Sequence, residues 1–315
     1  MKCLIVQPIH AAGLARLREA GIEPVLCPDR ASPTIAAYIP DCQAVITRDA
    51  GLDAAGFAAA DALRAVIVHG AGHDPVDKPA AKARNVIIAT TPGANARSVA
   101  ELALGLTLAL ARGIPAADAT LRGGQAGFRE SRNFIELAGK TALIVGWGHT
   151  GRQFGAMLAA LGLHLLVFSP RVATIDGHER AASLAAGLAR ADLVSLHTPL
   201  RPETQGLMNE AAFAAMKPGA LLINLARAGL IDETALTAAL QSGHLGGAAL
   251  DVYSPGAPQG PLGACGNVIF TPHLGGTTQD ALRRTALAAA EHVISALTGT
   301  MPPTTINPDA WTPRP

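Results

Sequence analysis

Cysteine is scarce: four residues in 315, at Cys3, Cys27, Cys42 and Cys265. Their scattered spacing matches no zinc, redox or disulfide pattern, and it reads as reduced thiols in a cytoplasmic chain. An excess of one charge is also missing. The 25 basic and 24 acidic residues leave a net charge of +1. No basic run occurs, so no electrostatic nucleic-acid surface is expected. Long apolar runs are absent despite a mean hydropathy of +0.28. The longest, about Leu102 to Ala111, falls well short of the ~20 residues that span a bilayer, so no membrane partner is expected. The opening MKCLIVQP lacks the organisation of a secretory signal. Histidines and acids lack ligand spacing, so no metal site is expected.

Apolar residues, by contrast, are plentiful: 49% of the chain is hydrophobic and 16% charged. At ~150 residues per domain, the length suggests two domains with sizeable cores. Short apolar runs (KCLIVQ, IEPVLC, AVIT, AVIVHG, VIIATT) alternate with helical patterns (AAGLARLREAG, LDAAGFAAAD). This rhythm predicts parallel strands joined by crossover helices. A long apolar helix is expected from about Ser98 to Arg112, opened by a capping box of Ser98 and Glu101. A polar stretch from Arg122 to Lys140 reads as an arm or loop. Six more strands follow (TALIVG, LHLLVF, LVSLH, LLINLA, GGAALDV, NVIFTPH), and the last helix runs from about Gln279 to Leu297. The fold class is therefore α/β, with two doubly wound parallel sheets. One domain is expected at residues 1–98 plus 284–315, the other at 99–283.

The strongest motif is Gly146-Trp147-Gly148-His149-Thr150-Gly151, directly after the strand TALIV and opening a helix. In that context GxGxxG is a dinucleotide-binding fingerprint. Its glycines permit a tight turn, close approach of a pyrophosphate and close helix–strand packing. The helix N-terminus offers N–H groups to phosphate. The next strand should end in an acid if the cofactor is NAD(H). Ser169-Pro170-Arg171 stands there instead. Ser169 can hydrogen-bond and Arg171 can supply positive charge, which favours NADP(H) over NAD(H).

Several further segments appear in order: Leu196-His197-Thr198-Pro199-Leu200, Asn224 to Asp232 (NLARAGLID), Ala249-Leu250-Asp251-Val252 and Thr271-Pro272-His273-Leu274-Gly275-Gly276. With Pro92 to Glu101 (PGANARSVAE), the chain resembles the D-isomer-specific 2-hydroxyacid dehydrogenase family. That resemblance implies a flavodoxin-like substrate domain, a Rossmann cofactor domain and a homodimer. It implies hydride transfer between a nicotinamide cofactor and C2 of a small 2-oxo or 2-hydroxy acid, as in glyoxylate or hydroxypyruvate reductases. By the same resemblance Arg227 holds the substrate carboxylate, a role its planar fork of donors suits. His273 is the acid/base, and a histidine titrates near working pH. Asp251 lies near the nicotinamide carboxamide. His197, Thr198, Pro199, Ala226 and Gly275 contact the cofactor. In Gly70-Ala71-Gly72-His73-Asp74, the amides of Ala71 and Gly72 form a nest for the substrate carboxylate, and Arg48 is a candidate reader of a second anionic group.

The family pattern breaks once. A glutamate normally stands five residues after the aspartate of the DV motif and holds the histidine protonated. Here that position is Gly256, and the loop to Pro261 carries no carboxylate. Reduction is then expected to slow at neutral pH and shift towards acid. Two alternatives stay open: a nicotinamide-binding sensor or scaffold with weakened catalysis, and NAD-linked oxidation of an unusual hydroxy acid.

Overall fold

The computed structural model describes residues 1–130, 134–175 and 177–312. The chain forms two compact units, one of Met1–Asn95 with Gly276–Pro315 and a second of Ala96–Gly275.

The first unit opens with the expected alternation: β1 (Lys2–Ile5), α1 (Ala11–Glu19), β2 (Glu23–Leu26), α2 (Ser32–Tyr38), β3 (Ala44–Thr47), α3 (Ala54–Ala58), β4 (Ala65–Val68), α4 (Lys78–Ala83) and β5 (Ile87–Thr90). The parallel sheet has the order β2-β1-β3-β4-β5. Strands β3, β4 and β5 are buried at every residue, as expected of a parallel sheet covered on both faces. Alternate residues feed two cores, Cys3 and Ile5 on one side and Leu4 and Val6 on the other. Helices α2 and α4 escaped the sequence reading because each carries a proline. Both prolines sit in the first helical turn, where a missing N–H costs nothing.

The second unit contains α5 (Ala96–Ala111), α6 (Ile114–Arg122), β6 (Thr141–Val145), α7 (His149–Ala160), β7 (His164–Phe168), β8 (Glu179–Arg180), α8 (Leu184–Leu188), β9 (Leu193–Leu196), α9 (Glu210–Ala214), β10 (Leu221–Asn224), α10 (Glu233–Gln241), β11 (Gly247–Leu250) and β12 (Val268–Phe270). The parallel order is β12-β11-β10-β9-β6-β7-β8. Leu143 and Val145 face one core, Ala142 and Ile144 the other. Strand order reverses beside β6, between β7 and β9, and this is where doubly wound sheets bind ligands. The sequence reading found six of these strands. It missed β8, a two-residue exposed edge strand with no hydrophobic alternation.

One local expectation is corrected: the capping box does not form. Helix α5 starts at Ala96, so Ser98 lies inside it and its Oγ donates to Gly275 O (2.6 Å), while Glu101 pairs with Arg97. The polar arm follows α6, a helix not read from the sequence, which runs to Arg122 and is started by Pro115 after a left-handed Gly113. Of that arm, residues 131–133 lie outside the described residues.

Helix α11 (Gln279–Leu297) rejoins the first unit as one piece and packs on α1. A Cβ at Gly13 would come within 2.8 Å of Ala286 O, so glycine there is what permits the close crossing. The units therefore divide at 95/96 and 275/276, whereas the sequence reading put the boundaries at 98/99 and 283/284, the second of them inside α11.

No single described helix is long and apolar enough to cross a membrane; α5 and α6 reach that measure only jointly, across a 59° bend. Among the described residues no cluster of histidine, cysteine and acid side chains could hold a metal ion.

Candidate active site

In the second unit one register line runs along the carboxyl edge of the sheet. Phe168 pairs with Val145, Val145 with Leu196, Leu196 with Asn224, Asn224 with Leu250 and Leu250 with Phe270. Every candidate of the cofactor and catalytic sets in this unit follows one of these strand ends, Gly275 coming last after His273. Parallel strands make this possible, since all their C-terminal ends lie on one side.

Next to Val145 comes the glycine loop. Gly146 has φ +102°, and a Cβ there would lie 2.6 Å from His197 O. At Gly151 a Cβ would lie 2.1 Å from Gly146 O. Both positions exclude any side chain. Gly148 differs: it is the N-cap of α7, extended and open, with no side-chain cap on the helix. The first-turn N–H groups at His149, Thr150 and Gly151 thus lack a side-chain acceptor at the N-cap, an arrangement suited to phosphate. Trp147 is buried, its ring against Gly155 and edge-on to His178.

Beyond β7, Ser169 is already engaged: its Oγ accepts from Trp147 N–H (3.2 Å) and ties the turn to the glycine loop. Arg171 forms an exposed ion pair with Glu203. The sequence reading missed two neighbours here. Arg180 donates to the carbonyls of Ser169 (3.0 Å), Val172 (2.6 Å) and Ala173 (3.0 Å), shaping the turn. Glu203 is brought to Arg171 by a short 3-10 turn, a placement only the fold can make.

The ring of His197 hydrogen-bonds through Nε2 to Ser195 Oγ (2.9 Å) and packs on Phe154. Burial pushes it down to about 4, so it is neutral at physiological pH. Thr198 and Pro199 continue the same loop, and Pro199 O accepts from Thr204 Oγ1 (2.8 Å).

After β10, fully buried Asn224 organises the turn. Its Oδ1 accepts from Ala226 N–H (3.0 Å) and its Nδ2 donates to Arg227 O (2.9 Å). Arg227 is half-buried, with Nη1 donating to Ala226 O (2.7 Å). A buried amide that satisfies two loop groups is a strong positional constraint, and Asn224 was not singled out from sequence as a site residue.

Asp251 is 2% exposed. Its Oδ1 accepts from Thr271 Oγ1 (2.5 Å) and Leu274 N–H (2.7 Å), and its Oδ2 from Gly275 N–H (2.9 Å). The aspartate clasps the loop that carries His273. Gly275 is held from both sides, since its carbonyl accepts from Ser98. His273 itself is exposed and adopts φ +55°. A left-handed non-glycine residue costs ~1 kcal/mol or more and persists where its surroundings impose it; here three bonds from one carboxylate do so. Gly256 has φ +84° and open space around it. The neighbouring loop contacts run to Glu233, whose Oε1 accepts from Ser254 N–H (2.7 Å), and Tyr253 stacks edge-on against Phe270.

In the first unit, Thr47 pairs with Val68 and Val68 with Thr90. Arg48, His69 and Thr91 follow these ends side by side. Gln7 Oε1 accepts from Arg48 N–H (3.2 Å) and Ala50 N–H (2.9 Å). Gly70 N–H donates to Thr91 Oγ1 (2.8 Å), which braces the loop carrying Ala71 and Gly72.

A family model described as "D-isomer specific 2-hydroxyacid dehydrogenase, NAD binding domain" matches residues 104–275. The D-3-phosphoglycerate dehydrogenase of Mycobacterium leprae is 40% identical over 287 residues, covering 90% of this chain and 54% of that protein. Among solved structures, the TT0316 protein from Thermus thermophilus has a TM-score of 0.89 at 34% identity, covering 97% of this chain and 100% of that one. The NADPH-dependent glyoxylate/hydroxypyruvate reductase from Sinorhizobium meliloti, in complex with NADP and malonate, has a TM-score of 0.88 at 25% identity, covering 100% and 99%. The chain belongs to the D-isomer-specific 2-hydroxyacid dehydrogenase family. It spans about half the length of the curated relatives it matches.

Proposed function

We propose that this protein is an NAD(P)(H)-dependent oxidoreductase acting at C2 of a small 2-oxo or 2-hydroxy acid. The carrying observation is the register line: the glycine loop, Arg227, Asp251 and His273 follow neighbouring strand ends of one sheet. The glycine loop fits a dinucleotide, because a Cβ at Gly146 or Gly151 would collide with backbone while Gly148 leaves its approach open. Residues 146–151 would hold the pyrophosphate, and the bound nicotinamide would supply or accept the hydride. The second unit is thus the dinucleotide-binding domain and the first the substrate-binding domain. Arg227 holds the substrate carboxylate through its guanidinium fork. His273 gives a proton to the C2 oxygen in reduction and takes it back in oxidation. Asp251 acts by fixing the His273 loop. The amides of Ala71 and Gly72 and the Arg48 side chain are further substrate-binding groups.

NADP(H) is the cofactor this reading favours, since no acid ends β7 and Arg171 stands there. Ser169 accepts from Trp147 N–H through its Oγ, which leaves its O–H to donate to the ribose. A homodimer is supported by α6, which buries none of its residues and leaves Ile114 and Leu121 exposed. A second reading, oxidation of a phosphorylated 2-hydroxy acid, is favoured by the 40% identity to the mycobacterial relative.

Initial rates of NADPH and NADH oxidation with glyoxylate, hydroxypyruvate and pyruvate, at acidic and neutral pH, test the proposal. Turnover led by NADPH supports it. No turnover with any pair, despite cofactor binding, would move the weight to the sensor reading or to oxidation of another substrate.

A further inference from the structure

The Gly70–Asp74 loop of the first unit leaves two amides uncommitted. Neither the Ala71 N–H nor the Gly72 N–H donates to an acceptor among the described residues. Gly70, in contrast, is fixed. Its N–H donates to Thr91 Oγ1 (2.8 Å) and its carbonyl accepts from Thr91 N–H (2.8 Å). A trans peptide points its C=O and N–H in opposite directions, so the Ala71 N–H faces away from Thr91.

The far side of the loop is gathered by a half-buried lysine. Lys78 Nζ donates to His73 O (2.9 Å) and Val76 O (3.1 Å), and more loosely to Asp74 O (3.5 Å). An ammonium has three donors and no acceptor, and these carbonyls engage all three. Lys78 also opens α4, where the unpaired N–H groups of a first helical turn favour an anion over a cation. A lysine at that position serves the loop rather than the helix. The residues between are anchored separately. Asp77 N–H donates to Leu52 O (2.9 Å), and Pro75 O packs so close to Gly51 that a Cβ there would lie 2.1 Å from it. Lys78 carries that fixed frame back to His73 and Asp74. Carbonyl oxygens turned towards one point repel each other, and a cation among them is what makes the arrangement favourable.

We propose that Lys78 is a positioning residue for substrate recognition: its ammonium holds the Gly70–Asp74 loop in the form that presents the Ala71 and Gly72 amides to the substrate carboxylate. This inference rests on the proposed 2-oxo acid reading and adds the residue that pre-organises its amide nest.

The test measures KM and kcat for glyoxylate, and the NADPH Kd, on wild type, Lys78→Met and Lys78→Arg. Methionine keeps the unbranched stem and removes every donor, whereas arginine returns donors to the carbonyls. A contact made equally in the ground and transition states appears in KM and not in kcat. Lys78→Met is expected to raise KM about 10-fold with kcat within about 3-fold of wild type. The NADPH Kd should stay unchanged, because the glycine loop belongs to the other unit. Lys78→Arg should bring KM back to within about 3-fold of wild type. An unchanged KM in Lys78→Met overturns the inference. So does a fall in kcat or NADPH affinity as large as the rise in KM, and so does an arginine variant no better than the methionine one. Turnover of glyoxylate by the wild type reports on the underlying reading separately. Should that turnover be absent, amide NMR of the intact protein with oxalate still decides. Ala71 and Gly72 resonances that move in wild type and Lys78→Arg, and need about 10-fold more oxalate in Lys78→Met, uphold the positioning role. Resonances that move alike in all three proteins, or in none, overturn it.

Discussion

Each of the two sheets carries a histidine just past a central strand, His69 after β4 and His197 after β9, and burial pushes both down to about 4. Their protonation states agree, but their partners differ. Ser195 Oγ hydrogen-bonds His197 Nε2, whereas His69 Nε2 has no hydrogen-bond partner among the described residues. The glycine loops beside them differ as well. Backbone crowds Gly146 and Gly151 within 2.6 and 2.1 Å of where a Cβ would be, while nothing lies within 4 Å at Gly70. Desolvation is the main cause of the lowering in both rings, joined at His69 by the Arg48 charge, and hydrogen-bond supply at Nε2 is what separates the two. The second unit is over-determined around a backbone cradle. The first leaves a buried ring nitrogen unsatisfied at its edge.

The largest effect should come from removing the chemistry assigned to the second unit. Arg227→Gln and His273→Asn are each expected to lower kcat/KM by about 10³-fold with folding intact, since a positioned proton donor contributes ~10²–10⁴ and charge-assisted pairs are the strong ones. Steady-state kinetics with circular dichroism checks this, and a loss under tenfold in either would contradict the assignment.

The glycine contrast can be broken next. Gly151→Ala places a methyl against backbone and should cost ~2–3 kcal/mol, by analogy with overpacked cores, and weaken cofactor binding. Gly70→Ala meets open space and should cost only about 1 kcal/mol for its φ of +149°. Calorimetric melting of both variants compares them directly; equal losses would remove the distinction between the loops.

Acid sharpens the histidine comparison. Both folded histidines bind protons more weakly than unfolded ones at about 6.5. The unfolded chain therefore takes up protons first, and stability falls as pH drops from about 6.5 to about 4. Each ring contributes at most ~3 kcal/mol to that loss. His69→Phe and His197→Phe should each flatten the urea-midpoint profile across this window. A profile as steep as the wild type's in either variant would show that the ring in question titrates normally.

Two smaller effects concern tuning. Gly256→Glu restores a carboxylate five residues after Asp251, and the pH range of reduction should extend upward. The left-handed backbone there should cost about 1 kcal/mol in stability. An unmoved pH profile would remove that loop from proton transfer. Glu203→Gln frees Arg171 from its exposed partner, and the NADPH-over-NADH preference in kcat/KM should rise a few-fold. No change would mean that Arg171 does not meet the cofactor.

Much of this was legible in the residues. Strands β1 to β7 and β9 to β12 announce themselves as apolar runs, because a covered parallel sheet needs both faces apolar. The glycine fingerprint was legible because its spacing is dictated by sterics within a few residues. Helices α2 and α4 were hidden by first-turn prolines, and β8 by its two-residue length. Ser98 read as a cap because its local pattern fits one, yet its hydroxyl is claimed by Gly275, far along the chain. Glu203 and Arg180 were missed as site residues because their partners lie on other elements, and Asn224 because its partners, Ala226 and Arg227, are loop groups that only the turn after β10 brings to its amide.

Local pattern by itself determined the α/β class, the two sheets and the glycine cradle, and the ordered motifs, through their resemblance to the family, made Arg227 and His273 candidates. Tertiary structure alone decided that Asp251 clasps the histidine loop, that Arg171 is paired, and that His69 Nε2 has no hydrogen-bond partner among the described residues. The division follows from range. Backbone sterics and hydrophobic periodicity act over a few residues and are written in order along the chain. Hydrogen-bond satisfaction and desolvation depend on which strand ends the register sets side by side, and that exists only once the sheets have formed.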